Sequence, residues 1–125
     1  MRVMLIDDEI SVLNSFKRIV NRLGNTCYTF ENPVNALNSL DFAKPDLIIS
    51  DFYMDNLNGL EFYKKIIKNN SSQKFVFITA SSSELIISQL KSLGVEAVLK
   101  KPVNLKKLLL ILRKVDEQLK LRSAL

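Results

Sequence analysis

The chain has no histidine and no tryptophan, and only one cysteine, three glycines and three prolines in 125 residues. Without histidine there is no histidine-based triad, no imidazole metal ligand and no phosphohistidine on the chain itself, so any phosphohistidine donor is a separate molecule or domain. A lone cysteine forms no internal disulfide. The place of Cys27 in the alternating segment Cys27-Tyr28-Thr29-Phe30 predicts a buried strand thiol without a catalytic role. Glycine is missing from the turn Asp7-Asp8-Glu9-Ile10, which excludes the glycine-rich first loop of a dinucleotide-binding domain. Long apolar runs are missing as well. Leu108–Leu112 and Leu47–Ile49 fall far short of the roughly 20 residues that cross a bilayer. The first acidic residue, Asp7, comes too early to leave room for a signal peptide, so a cytoplasmic protein with no membrane contact is expected.

What is present is enough apolar material for one core. At 47% hydrophobic residues, the 125 positions read as a single domain, with residues from about 120 to 125 able to begin a connector to an output domain. The net charge of +5 is uneven: residues 1–90 hold 9 basic and 10 acidic side chains, and residues 91–125 hold 9 and 3. The basic residues at the C-terminal end lack interleaved aromatics and fall on what reads as a solvated helix face, so nucleic acid is not the expected partner.

Short apolar runs rich in β-branched residues alternate five times with segments of helical periodicity, a (βα)5 pattern. The strand candidates are Val3–Ile6, Cys27–Phe30, Leu47–Ser50, Phe75–Thr79 and Ala97–Leu99. Three are continuous apolar runs, as parallel strands covered on both faces require. The first helix places Val12, Leu13, Phe16, Ile19, Val20 and Leu23 on one stripe and ends at Gly24. The second starts at Asn32-Pro33, the third covers Leu60–Lys68, and the fourth runs from about Ser83 to Leu93. The fifth begins near Asn104 and reaches about Leu121, with Leu105, Leu108, Leu109, Leu112, Val115 and Leu119 facing the core. Leu110 and Leu121 project to the other side at about 100° per residue, as candidates for an interface or as ordinary exposed leucines.

In an open parallel sheet, ligands bind at the carboxyl ends of the strands beside the topological switch point. Those ends carry Asp7 and Asp8 after the first strand, Asp51 after the third, Thr79 on the fourth and Lys101 past the fifth. Taken alone, Asp7-Asp8 reads as a surface turn or cap, Thr79 as a strand residue and Lys101 as a solvated lysine. Together the three carboxylates repel unless a cation or protons relieve them, and the cluster with its oxygen-only ligand set points to bound Mg2+. A hydroxyl and an ammonium opposite them suit a tetrahedral anion. With no cysteine or histidine at this edge, the covalent nucleophile available to such an anion is a carboxylate.

These residues resemble the receiver domains of two-component response regulators, including the chemotaxis-regulator type. The resemblance rests on Ile6-Asp7-Asp8-Glu9, Pro45-Asp46-Leu47-Ile48-Ile49-Ser50-Asp51, Asn58-Gly59-Leu60-Glu61, Ile78-Thr79-Ala80 and Leu99-Lys100-Lys101-Pro102, in order over essentially the whole chain. It implies a flavodoxin-like α/β fold with a doubly wound five-stranded parallel sheet of order 2-1-3-4-5. It implies that Asp51 accepts a phosphoryl group from a histidine kinase or histidine phosphotransfer protein, and that the domain catalyses its own phosphorylation and dephosphorylation without being a metabolic enzyme. Asp8, Asp51 and the Tyr53 backbone carbonyl would ligate Mg2+, with Asp7 holding it through water. Thr79 would swing toward the phosphoryl oxygens and Lys101 would pair with them, next to a cis Lys101–Pro102 peptide, while Ala80 leaves the approach open. Partners would be an output domain or a second copy, bound through the fourth helix, fifth strand and fifth helix.

The sequence also departs from the family pattern. Asp55 follows Met54 where proline is usual, which places another carboxylate near the site. Val98 stands at the position of the usual switch aromatic. Tyr53 and Ser81 occupy positions that tune phosphoryl lifetime, and a bulky tyrosine there implies slow loss of the phosphoryl group. Two other readings follow: a pseudo-receiver that binds partners without phosphate, and, more distantly, an aspartate-nucleophile phosphatase. The latter usually has a second acid two residues after the nucleophile, where this chain has Tyr53.

Overall fold

A computed structural model describes residues 1–54 and 57–124. Its strands are β1 (Arg2–Ile6), β2 (Thr26–Phe30), β3 (Leu47–Asp51), β4 (Lys74–Thr79) and β5 (Ala97–Lys100). All neighbours pair in parallel, in the order β2-β1-β3-β4-β5, which is the flavodoxin-like arrangement. The helices among the described residues are α1 (Ile10–Arg22), α2 (Pro33–Asn38), α3 (Leu40–Ala43), α4 (Gly59–Asn69), α5 (Glu84–Lys91) and α6 (Leu105–Ala124).

Successive strand side chains point to opposite faces, so the apolar runs feed two cores at once. Val3, Leu5, Leu47, Ile49, Val76 and Ile78 pack with Leu13, Phe16 and Val20 of α1 and Leu108, Leu112 and Val115 of α6. Met4, Ile6, Ile48, Phe75 and Phe77 pack on the other face with Ala36, Phe62, Tyr63, Ile66 and Leu90 from α2, α4 and α5. The second core is built from interlocking rings: Phe75 lies 4.8 Å from Phe77 and 5.1 Å from Tyr63, centroid to centroid. Burial of these runs on both faces is what requires the parallel sheet to be covered by helices front and back.

The ends of the helices follow local chemistry. Asn32, Asn58 and Ser83 accept from the backbone N–H groups of Val34, Glu61 and Ile86. Asn58 Nδ2 also donates to Glu61 Oε1, closing a reciprocal cap at the start of α4. α1 and α5 are followed by Gly24 and Gly94 at φ 83° and 82°, the left-handed region that favours glycine.

The structure departs from the sequence pattern in three places. The second helical segment is broken in two at Ser39 (φ −102°, ψ 0°), whose hydroxyl bonds back to the Asn35 carbonyl. Leu105 and Leu109 are exposed rather than core-facing. So is Leu23, because a groove of about 160 Å3 between the end of α1 and α6 leaves Leu23 and Leu109 only partly covered. Asp55 lies outside the described residues.

Candidate functional site

The registers Ile6↔Ser50, Asp51↔Ile78 and Thr79↔Lys100 bring the carboxyl ends of four strands level, so the residues just past them share one edge. There β1 leads into α1 on one face and β3 leads to α4 on the other, and the crevice between the two crossovers is where a parallel sheet of this order opens to ligands. Asp7, Asp8 and Asp51 each bring a carboxylate oxygen within 4.8 Å of the others. Asp7 and Asp51 are buried, at 2% and 4% exposure, and Asp8 faces solvent.

Lys101 reaches into this cluster. Its Nζ lies 3.1 Å from Asp7 Oδ2, 3.1 Å from Asp51 Oδ2 and 3.4 Å from Glu9 Oε1. The contact with Asp51 is a hydrogen bond. That with Asp7 is an ion contact only, and Asp7 Oδ2 is a buried oxygen with no hydrogen-bond donor. Asp7 Oδ1 accepts from the Glu9 N–H at 2.9 Å, and Asp51 Oδ1 accepts a long 3.4 Å bond from the Tyr53 N–H. The Lys101–Pro102 peptide is cis, and the Lys101 N–H donates to the Thr79 carbonyl at 2.9 Å. Thr79 is buried at the end of β4, and its hydroxyl accepts from the Ser81 N–H at 3.0 Å. Tyr53 is about half exposed, at 49%. Its ring packs edge-on against Phe52, and Phe52 against Phe77 of the second core. Val98 packs partly buried against that same core.

Burial pushes the Asp7 and Asp51 carboxyls above the ordinary carboxylate range, although Lys101 and the neighbouring N–H groups pull each back. Burial would lower the Lys101 ammonium, but its contacts with Asp7 and Asp51 outweigh this and raise it, so it stays charged. Three carboxylates against one ammonium leave a local excess of two negative charges when all are ionised. The donor set therefore fits a divalent, oxygen-preferring cation: only oxygen atoms, all within 4.8 Å of one another, among them a buried Asp7 oxygen whose one close partner is the Lys101 ammonium. Cys27 lies away from this edge, buried in the α1 core, and burial raises its thiol to about 11.

Gly59 belongs to the Asn58-Gly59-Leu60-Glu61 motif, and its role is visible only in the fold. The backbone of α4 begins against the loop after β3, where the Gly59 N–H donates to the Phe52 carbonyl at 2.7 Å. A Cβ on Gly59 would lie 2.7 Å from the Phe52 Cα and 2.8 Å from the Asp51 carbonyl oxygen, both backbone atoms that cannot turn aside. The Asn58-Gly59 pair was the available signal: a cap followed by a residue with no side chain. Gly59→Ala is expected to destabilise the fold by about 2 kcal/mol, as overpacking against fixed atoms does, and to shift Asp51. Urea unfolding with amide shifts at Asp51–Tyr53 measures both effects, and unchanged stability would show that the loop yields freely.

A family model described as response regulator receiver domain matches residues 3–113. The chain belongs to that family. Receiver domains are the phosphoacceptor modules of two-component phosphorelay signalling. Among solved structures, this receiver superposes on the chemotaxis protein CheY4 of Vibrio cholerae with TM-score 0.81 and 28% identity, covering 90% of this chain and 96% of that one. It superposes on the signal receiver domain of a putative Luxo repressor protein from Vibrio parahaemolyticus with TM-score 0.88 and 25% identity, covering 98% and 95%. The DNA-binding transcriptional regulator NtrC of Escherichia coli is 32% identical over 80 residues, which is 64% of this chain and 17% of that protein. The receiver thus spans less than a fifth of that relative's length. None of its helices among the described residues is long and apolar enough to cross a membrane.

Proposed function

We propose that this receiver accepts a phosphoryl group on Asp51 in a Mg2+-dependent reaction, with a histidine kinase or histidine phosphotransfer protein as donor, and that uptake changes a partner-binding surface. The observation that carries this reading is the position of Asp51: a buried carboxylate at the end of β3, hydrogen-bonded to Lys101 and within 4.8 Å of the oxygens of Asp7 and Asp8. An Asp51 oxygen attacks the donor's phosphorus, the phosphorus–nitrogen bond breaks, and its electron pair leaves with the donor's imidazole, forming an acyl phosphate. Asp8, Asp51 and the Tyr53 carbonyl would hold Mg2+, with Asp7 reaching it through water. When bound, the cation neutralises charge on the transferring group. Lys101 exchanges its carboxylate contacts for phosphoryl oxygens, and the Thr79 hydroxyl leaves the Ser81 N–H to donate to them. In this reading the domain covers residues 1–125, works in the cytoplasm and promotes its own phosphorylation. α6 runs unbroken through Ala124.

The test is intact-protein mass after treatment with acetyl phosphate, with and without Mg2+. One phosphoryl adduct is expected, dependent on Mg2+ and mapped to Asp51. Val98 in place of the usual switch aromatic favours the pseudo-receiver as the second reading. The absence of any adduct, together with no Mg2+-dependent binding of beryllofluoride, would establish it.

A further inference from the structure

We infer that the groove between α1 and α6 docks an acidic amphipathic helix of a partner protein, at the end of the fold away from Asp51. The two helices cover the same face of the sheet and concentrate the chain's positive charge. α1 holds three basic and no acidic side chains, and α6 holds six and two, so this layer carries +7 while the chain as a whole carries +5. All nine basic side chains are exposed. At about 100° per residue they fall in rows. Arg18 and Arg22 share one stripe of α1, and Lys106, Arg113 and Lys120 recur every seven residues along α6. Between these rows lie Leu23 and Leu109, both exposed, in a recess of about 160 Å3 that Asn25, Leu112, Arg113 and Asp116 complete. α1 runs 13 residues, about 20 Å, from Ile10 beside the phosphoryl edge, so the recess at its far end leaves Asp51 open.

The chemistry of the two rows selects the occupant. Lys120 is already matched by Asp116 at 3.2 Å, whereas Arg18, Arg22, Lys106 and Arg113 make no ion pair among the described residues. Rows of unmatched cations with leucines between them complement a helix whose apolar ridge, at spacings of three and four residues, is bordered on both sides by Asp or Glu. The ridge enters the recess, and a carboxylate row meets each cation row. A nucleic acid supplies the charge but nothing apolar to fill the recess, and neither helix offers a ring for a base to stack on: Phe16, the only aromatic residue of the two, is buried. An anionic bilayer is flat and does not follow leucines into a recess between two helices. The apolar contact is small, so binding is weak and sensitive to salt, with a dissociation constant on the order of 10–100 μM at low ionic strength.

Amide shifts of the isotopically labelled, unphosphorylated chain test the inference without drawing on the phosphoryl site. The probe is a synthetic helix about 18 residues long, with leucines on one stripe and glutamates on both flanks. Shifts centred on Leu23–Asn25 and Leu109–Asp116 are expected. Arg22→Glu combined with Arg113→Glu should weaken binding about tenfold or more, and so should Leu109→Gln, all at exposed positions. A peptide of the same composition with its leucines scattered around the helix should bind about tenfold more weakly as well. Equal binding of the two peptides would overturn the inference, since charge alone would then account for it. So would binding indifferent to the substitutions, or no shift of these amides at any peptide concentration. Larger shifts of the same amides with a DNA duplex or phosphatidylglycerol vesicles than with the peptide would also overturn it.

Discussion

Asp51→Asn takes up no phosphoryl group, and without Mg2+ it unfolds at a higher urea concentration than the wild type at pH 7. The first effect is loss of the nucleophile, since the amide offers no oxygen able to form an acyl phosphate. The second follows from burial. Asp51 is 4% exposed, and burial raises its carboxyl above the ordinary range even with Lys101 beside it, so the ionised group is less stable in the fold than in the open chain. A carboxylate with a raised folded value weakens the native state at pH above that value. The cost fades as pH falls through it, and is gone below the open-chain value. The amide keeps the shape, removes the charge, and leaves Lys101 paired with Asp7 and Glu9. A gain of roughly 1 kcal/mol is expected, at the low end of what neutral replacement of buried ionic groups gives. It should shrink as pH is lowered and reverse once Mg2+ is added, because the metal stabilises the state with more carboxylate ligands. Urea titrations at several pH values, with EDTA or Mg2+, read all of this. A variant less stable than wild type at pH 7 in EDTA would show that Asp51 supports the fold more than it strains it.

The fold was legible in the sequence because two independent signals agree. Val3–Ile6, Leu47–Ile49 and Phe75–Ile78 are continuous apolar runs, and the segments between them carry a 3.6-residue stripe, leaving a covered parallel sheet as the simple solution. Strand ends then followed, and with them the shared edge of Asp7, Asp8, Asp51 and Lys101. What stayed hidden depends on tertiary detail. Nothing in Asn38-Ser39 marks the break between α2 and α3, and Lys44 adopts φ 44° after α3 although lysine has no preference for that region. The periodicity of α6 is wide enough to count Leu105 and Leu109 as core, yet both are exposed in the fold, Leu109 along the groove toward α1. Gly59 carries a packing constraint that a one-dimensional reading sees only as a helix start. The paired reach of Lys101 to Asp7 and Asp51 was likewise invisible, because it depends on how the chain turns after β5.

That paired reach sets the remaining large effect. Lys101→Met keeps the length and apolar stem of the side chain but removes the cation that touches Asp7 and Asp51, both nearly inaccessible to water. Removing one partner of a fully buried pair typically costs 3–5 kcal/mol. The lysine side chain is 19% exposed, so partial screening brings the expectation to about 2 kcal/mol in EDTA at pH 7. Lys101 lowers both carboxyls, so without it both rise further. The variant should therefore lose most at neutral pH and recover toward wild type as acid protonates the pair. Mg2+ should rescue the fold as well, and by more than it stabilises wild type, since the site's uncompensated charge has grown by one. Rescue of the fold is not rescue of the reaction. Among the described residues no other lysine or arginine lies in ion-pair contact with these carboxylates, so charge on the transferring phosphoryl group goes unmatched from that side, and uptake should slow about 100-fold or more with Mg2+ saturating. Quenched-flow mass measurement of the adduct, set beside urea unfolding of the same samples, separates the two effects. A variant stabilised by Mg2+ yet phosphorylated at the wild-type rate would confine Lys101 to holding the resting carboxylates apart.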